Sequence, residues 1–319
     1  AGLETLYTVT VNPVAQVNPA DDQLVCNEDT IFVEFSSIVT GGATTYAWTN
    51  DNSEIGLSNS GTGNIDITST NTTTSPITSN ITVTPSFENE GNINIGESIS
   101  FTITVNPSGQ VDGVLNQIVS NTFDTTAITF TTENSNGTTS YNWTNDLSSI
   151  GLASAGSGNI PVFTGVNTGT FPVSASISVT PTFTSNGVSC VGPETPFEIT
   201  INPTAQVNPT EDMVVSNGDS LVIPFETINT GGTSTYTWTN TDPTTGLENS
   251  GSSDIGFTAV NTGTSPIVTT VVVTPGFENG GNSNSGSANT FVITVNPTAQ
   301  VDPINNVVVC NEEVLDPTV

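Results

Sequence analysis

The sequence predicts an all-β fold built as a tandem array, on three observations. Apolar residues alternate with a period of two, the signature of half-buried strands. Pairs of Gly and Asn punctuate those runs where turns are needed. A unit of about 95 residues recurs, because Trp48, Trp143 and Trp238 stand 95 residues apart twice over.

In chain order, the first element of each unit puts Ile31, Val33 and Phe35 on one face, copied by Thr126, Ile128, Phe130 and by Leu221, Ile223, Phe225. A turn pair follows, Gly41-Gly42, Asn136-Gly137 or Gly231-Gly232, suited to the positive φ of a hairpin. Next comes the Trp strand, in TYAWTNDNSEIGLSNSGTGNI (45–65), SYNWTNDLSSIGLASAGSGNI (140–160) and TYTWTNTDPTTGLENSGSSDI (235–255). Tyr46, Tyr141 and Tyr236 lie two residues before each Trp, on the same face. The six aromatics are expected to fill the core between two sheets, and the glycines of this segment to serve a tight loop. A later strand aligns Ile81, Val83, Phe87 with Ile177, Val179, Phe183 and with Val271, Val273, Phe277. The last aligns Phe101, Ile103, Val105 with Phe197, Ile199, Ile201 and with Phe291, Ile293, Val295. No stretch carries a 3.6-residue pattern. About seven short strands per unit with turns between them read as an immunoglobulin-like β-sandwich.

The last strand ends in Asn-Pro, with prolines at 13, 107, 203 and 297, in steps of 94, 96 and 94. These divide the chain into three complete units, 14–107, 108–203 and 204–297. Residues 1–13 match the last strand of a preceding unit and 298–319 the first segment of a following one, so the array is expected to continue at both ends. The linkers are short and flanked by Pro, without Gly-Ser runs, which predicts semi-rigid joints. At a strand rise near 3.3 Å, three units in a row would span on the order of 120 Å, as a rod.

Composition bounds function. The chain has no Lys, Arg or His, and its 30 Asp and Glu give a formal net charge of −30. Contacts to phosphate need cations, so nucleic-acid binding is excluded, as is polybasic attraction to anionic lipid. No apolar run approaches the roughly 18 residues of a membrane span, so direct insertion is not expected. Thr, Ser, Asn and Gly dominate the remainder, the composition of a wet extracellular surface. Catalysis lacks a His or Lys base and an Arg to steady an anion. A carboxylate pair would have to recur, yet the acids scatter as 11, 6 and 8 over the three units. The expectation is no enzyme and no cofactor.

The ordered set YxWTN…IGL…SGxGNI…ITVTPxF…FTITVNPTAQV resembles the PKD-like repeats of giant cell-surface gliding-motility adhesins of Bacteroidota. The resemblance covers essentially all 319 residues. It implies a type IX-secreted, surface-anchored filament in cell adhesion. Its partners would be adjacent repeats of the same long chain, cell-surface anchoring machinery, and an external surface or polysaccharide. The chain departs from typical PKD domains in having WTNDN, WTNDL and WTNTD where those carry WDFGDG, which sets a standard calcium or carbohydrate role in doubt. The alternatives are a non-motility extracellular filament or sheath, or a calcium- or carbohydrate-binding array.

Three polar features remain. Asp21-Asp22 with Glu28-Asp29, or Glu88 with Glu90, offer hard oxygen ligands for Ca2+, set against a solvated acidic surface. Their register fails in the second unit, which has Leu115-Asn116 where the third has Glu211-Asp212. Asp29-Thr30, Asp124-Thr125 and Asp219-Ser220 each begin 19 residues before the Trp. With the residue that follows each pair, Ile31, Thr126 and Leu221, these triplets are similar to the O-glycosylation sequon of Bacteroidota and would carry sugars on Thr30, Thr125 and Ser220. The alternative is a turn at a strand start. Cys26 and Cys310 share a slot held by Ser120 and Ser216, while Cys190 occupies the slot of Asn94 and Asn284. Cys26 and Cys190 are expected to stay unpaired, being 164 positions apart in different units.

Overall fold

The computed structural model describes residues 2–303, 306, 308 and 310–312. It divides into two compact units, one holding residues up to Val166 with Ser174–Thr200, the other Asn167–Val173 and residues from Ile201 onward. The first repeat contains β1 (Gln23–Cys26), β2 (Thr30–Val33), β3 (Ala43–Asn50), β4 (Ser60–Thr62), β5 (Ile65–Thr68), β6 (Ile77–Asn89), β7 (Asn92–Ile95) and β8 (Ile99–Asn106). Its main sheet has the order β1-β8-β6-β3-β4, with β7 also on β6; β2 and β5 form the facing sheet. The first strand runs parallel to the last, Cys26 opposite Asn106.

In the second repeat, β9 (Gln117–Ser120), β10 (Thr138–Asn145), β11 (Ala155–Ser157), β12 (Val173–Ser185), β13 (Val188–Val191) and β14 (Thr195–Asn202) rebuild the main sheet. The third has β15 (Met213–Ser216), β16 (Ser220–Ile223), β17 (Thr233–Asn240), β18 (Ser250–Ser252), β19 (Ile255–Thr258), β20 (Ile267–Asn279), β21 (Asn282–Ser285) and β22 (Asn289–Asn296). Its sheets repeat those of the first, with β16 on β19. The only helical turns among the described residues are three 3-10 turns, Ser53–Ile55, Ser148–Ile150 and Pro243–Thr245. Tandem two-sheet sandwiches of this strand order are the immunoglobulin-like architecture.

Alternation explains the long strand. In β6 Ile81, Val83 and Phe87 are fully buried, and β8 buries Phe101, Ile103 and Val105 beside them. Pro85 interrupts neither sheet, because β6 changes neighbour there, from β8 (Val83 opposite Ile99) to β7 (Ser86 opposite Ile95). Pro has no N–H to donate, and none is needed at that switch.

Two expectations about the first strands are corrected. The pairs Gly41-Gly42, Asn136-Gly137 and Gly231-Gly232 do not turn a hairpin, since β2 pairs with β5 and β3 with β4 and β6. They carry the chain from one sheet to the other. Gly41, Asn136 and Gly231 have positive φ, whereas the second glycine makes room for an aromatic ring. A Cβ on Gly42 would stand 2.5 Å from the Phe87 ring, and one on Gly137 2.4 Å from that of Phe183. Thr126 also does not share the inward face with Ile128 and Phe130. Thr126 and Ala127 both face outward, and Thr125 is buried instead. Two outward residues in succession make a bulge-like break, and the facing sheet of this repeat is reduced to bridges at Asp124–Thr164 and Ile128–Ile160. The Gln117 side chain takes over the Thr126 backbone, accepting from its N–H and donating to its carbonyl at 3.0 Å each.

Residues 2–13 form no strand, and Val9 and Val11 lie exposed. Segment 298–319, read as the start of another repeat, lies partly outside the described residues; those that are described there form no strand.

Candidate functional site: the joint between repeats

The aromatic positions are structural. Trp48, Trp143 and Trp238 are buried, at 8%, 6% and 7% exposure. Each packs against a glycine of the neighbouring short strand: Trp48 opposite Gly61, Trp143 opposite Gly156, Trp238 opposite Gly251. A Cβ on Gly61 would come within 2.1 Å of the Trp48 ring. The loop role expected for these glycines is therefore divided. Gly56 and Gly63 turn the chain with positive φ, while Gly61 sits in β4 to admit the indole. Tyr46, Tyr141 and Tyr236 are half-buried and pack on Phe35, Phe130 and Phe225 with ring centroids 5.7, 5.3 and 5.6 Å apart. Loss of water raises the phenol pKa of all three, and nearby Asp112 adds to the rise at Tyr141.

Asp22, Asp29, Asp212 and Asp219 serve the backbone. Asp22 accepts from the Thr102 N–H at 2.6 Å, and these bonds hold its carboxyl below the ordinary carboxylate value. Asp212 accepts likewise from Val292 at 2.7 Å, and in the second repeat Asn116 accepts from Glu198 at 2.8 Å. A neutral amide fills the slot because a hydrogen-bond acceptor is all that it requires. Asp29 and Asp219 accept from Cys26 N–H and Ser216 N–H at 2.8 Å, closing the turn before the next strand. No group of three or more potential metal-ligating side chains occurs among the described residues.

The three hydroxyls differ. Thr30 and Ser220 are exposed at the first positions of β2 and β16. Thr125, expected to be equally reachable, is buried at 4% exposure, and its Oγ1 donates to the Phe163 carbonyl at 3.1 Å. The cause is the bulge at Thr126–Ala127, which turns this position inward.

A further polar arrangement recurs at the joints. Asn12, Asn106 and Asn202 each precede the landmark proline, which restricts that residue to extended backbone. Each amide is thereby held against the tip of the following hairpin. Asn12 Nδ2 donates to the Asn89 carbonyl at 3.4 Å, and Asn12 Oδ1 accepts from Asn89 Nδ2 at 2.9 Å. Within the compact unit that holds residues from Ile201 onward, Asn202 donates to the Asn279 carbonyl at 3.1 Å and accepts from Asn279 Nδ2 at 2.9 Å. The tips turn on Glu90-Gly91, Asn186-Gly187 and Gly280-Gly281, every residue of which has positive φ, the requirement of a tight two-residue hairpin. One residue further along the clamp, Asn94 donates to the Pro13 carbonyl at 3.1 Å and Asn284 to that of Pro203 at 2.9 Å. This use of Asn was missed in the sequence, although Asn before every landmark proline and Glu-Gly, Asn-Gly or Gly-Gly before the short strand were visible signals.

The joint between the first and second repeats is built differently. Asn106 still donates to the Ser185 carbonyl at 3.1 Å. Ser185, in the place of Asn89 and Asn279, returns no amide, and Asn106 Oδ1 is buried without a hydrogen-bond partner. Cys190 replaces the second Asn and forms a disulfide with Cys26, with Cα atoms 5.4 Å apart. The expectation that these cysteines stay unpaired is overturned. Separation along the chain did not matter, because the Cys26 slot ends the first strand of one repeat and the Cys190 slot lies on the hairpin of the next. Within one repeat the two slots lie at opposite ends: Cys26 is opposite Asn106, whereas Asn94 contacts Pro13. The bridge therefore joins successive repeats without changing their order.

No family model and no curated protein matches the chain. Among solved structures, it is similar to three N-terminal domains of the highly immunogenic outer capsid protein of bacteriophage RB49, at 13% identity over 90% of this chain and 99% of that one, with a TM-score of 0.39. Mouse cadherin-23 EC22–24 gives 12% identity, 89% and 99% coverage and a TM-score of 0.37. Mouse protocadherin-24 EC1–3 gives 12%, 91% and 100%, and 0.34. Likenesses of this strength establish neither kinship nor role; the tandem all-β sandwich rests on the strand order and the buried faces of this chain.

Proposed function

We propose that the chain is a section of the stalk of a secreted, surface-anchored adhesin, giving reach and mechanical linkage without catalysis. The observation that carries this reading is the joint: one amide clamp recurs between a landmark Asn and the following hairpin, and one joint is closed covalently. A disulfide of this kind persists in an oxidising compartment, which supports an extracellular location. An all-negative surface makes neighbouring stalks repel, so they stay apart and soluble. The resemblance to gliding-motility adhesin repeats extends the proposal to a filament exported by type IX machinery and carried along the cell surface. Its partners are then further repeats, an anchoring complex, and a substratum or polysaccharide.

Labelling intact cells with antibody against this segment tests the reading. Surface filaments that move with gliding cells are the expected result. Static label would remove motility and favour a sheath, while label confined to the cell interior would overturn the whole reading. We further propose sugars on Thr30 and Ser220 and none on Thr125, because only the first two hydroxyls are exposed. Glycopeptide mass spectrometry of native material should find this pattern. Bare hydroxyls at Thr30 and Ser220, or a glycan on Thr125, would contradict it.

A further inference from the structure

We propose that the Cys26–Cys190 bridge diverts tension past the interior of two repeats, so that both resist extension until the bridge is reduced. The inference rests on the proposed stalk role for its biological setting, and on topology for its physics. A chain pulled at its ends carries force along the shortest covalent path. That path runs from β1 through the two sulfurs into β13, and on through β14. Strands β2–β8 of the first repeat and β9–β12 of the second lie inside the closed loop and off the path. Force can peel β1 away from β8 and β13 away from β12, but it cannot draw out residues 27–189.

The side chains at this joint agree with a covalent substitute for a weakened clamp. Elsewhere a reciprocal pair of amides, Asn12 with Asn89 and Asn202 with Asn279, ties the landmark Asn to the hairpin. At the bridged joint the return amide is missing, leaving Asn106 Oδ1 unpaired, and the second Asn is replaced by Cys190. Among the described residues, the joint that lacks the return amide is the one that a covalent bond closes. The sulfurs are unevenly covered: Cys190 is 1% exposed, while Cys26 is only half-buried. A small dithiol thus has its approach at Cys26. Its thiolate attacks Cys26 Sγ, Cys190 leaves as thiolate, and the second thiol of the reagent closes a cyclic disulfide that releases Cys26. Two electrons pass from the dithiol to the bridge, and the cysteines take up protons.

The extension withheld is large. The bridge spans 164 positions, which at about 3.3–3.6 Å per extended residue amounts to roughly 540–590 Å. Single-molecule pulling on the full chain, tethered through its termini, reads this directly. The oxidised chain should reach a total extension shorter by that length than the same chain in dithiothreitol. Cys190→Asn, which copies Asn94 and Asn284, should give the long extension without reductant and keep the fold. Equal extension of oxidised and reduced chains would overturn the proposal. So would alkylation of Cys26 and Cys190 in purified, unreduced protein. Surface labelling of cells is a separate readout, so the stalk reading and the shielding of the two repeats can fail independently.

Discussion

Trp48→Ala should destabilise the first repeat by about 3–5 kcal/mol, the cost of removing a large aromatic from a packed core. The indole is 8% exposed and lies in one cluster with Ile31, Val33, Phe35, Ile55, Leu57, Ile65, Ile81 and Val83. The neighbours that would have to collapse into the space sit on strands of both sheets. Gly61 on β4 brings no side chain to fill it. In a domain of this length such a loss lowers the melting temperature by roughly 12–40 °C. It is also a large share of the about 5–15 kcal/mol that holds a typical domain folded. Calorimetry should show one transition moving down while those of the other repeats stay. Gly61→Ala should also destabilise, since its methyl would meet the ring at 2.1 Å. The double variant should cost less than the sum of the two, because the ring that the methyl strikes is gone. Unchanged melting of Trp48→Ala, or strict additivity with Gly61→Ala, would mean that the indole does not pack as described.

Asn71→Ala should cost on the order of 2–3 kcal/mol, through buried carbonyls left without donors. Asn71 is 3% exposed, and its amide donates to the Ser75 carbonyl at 2.9 Å and the Val105 carbonyl at 2.7 Å. Its Oδ1 accepts from the Thr73 N–H at 2.9 Å. Asn261 repeats the arrangement with Ser265 and Val295, at 2.9 and 2.7 Å. The side chain ties the entry of β6 to the end of β8, so it stands in for a ladder rung where the strands diverge. Asn71→Asp should be worse than Asn71→Ala. A carboxylate cannot donate to either carbonyl, and burying its charge among acceptors is unfavourable. Denaturant midpoints of the three proteins should fall in the order native, Ala, Asp. An Asp variant as stable as the native chain would show that the amide is solvated in solution.

Inward faces such as Phe101, Ile103 and Val105 are legible in the amino acids because strand geometry is local: alternate residues face alternate sides whatever lies beyond. The 95-residue spacing of the tryptophans and the Asn-Pro landmarks are likewise visible without reference to contacts. The same local reasoning failed at Thr126, where the even spacing to Ile128 and Phe130 hid a bulge that only the register against Phe163 and Ile160 imposes. It failed at Gly42 and Gly137 too, whose lack of a side chain answers to a phenyl ring more than 40 residues away. The acceptor slot of Asp22, Asn116 and Asp212 looked like broken acidic register, because charge was visible and the backbone N–H that it serves was not. The cysteines illustrate the limit most clearly. Whether two thiols bond depends on the distance between their Cα atoms, and here that distance, 5.4 Å across 164 positions, is set by the packing of one repeat's hairpin on the end of another. Packing of that kind belongs to neither repeat alone and leaves no periodicity to read.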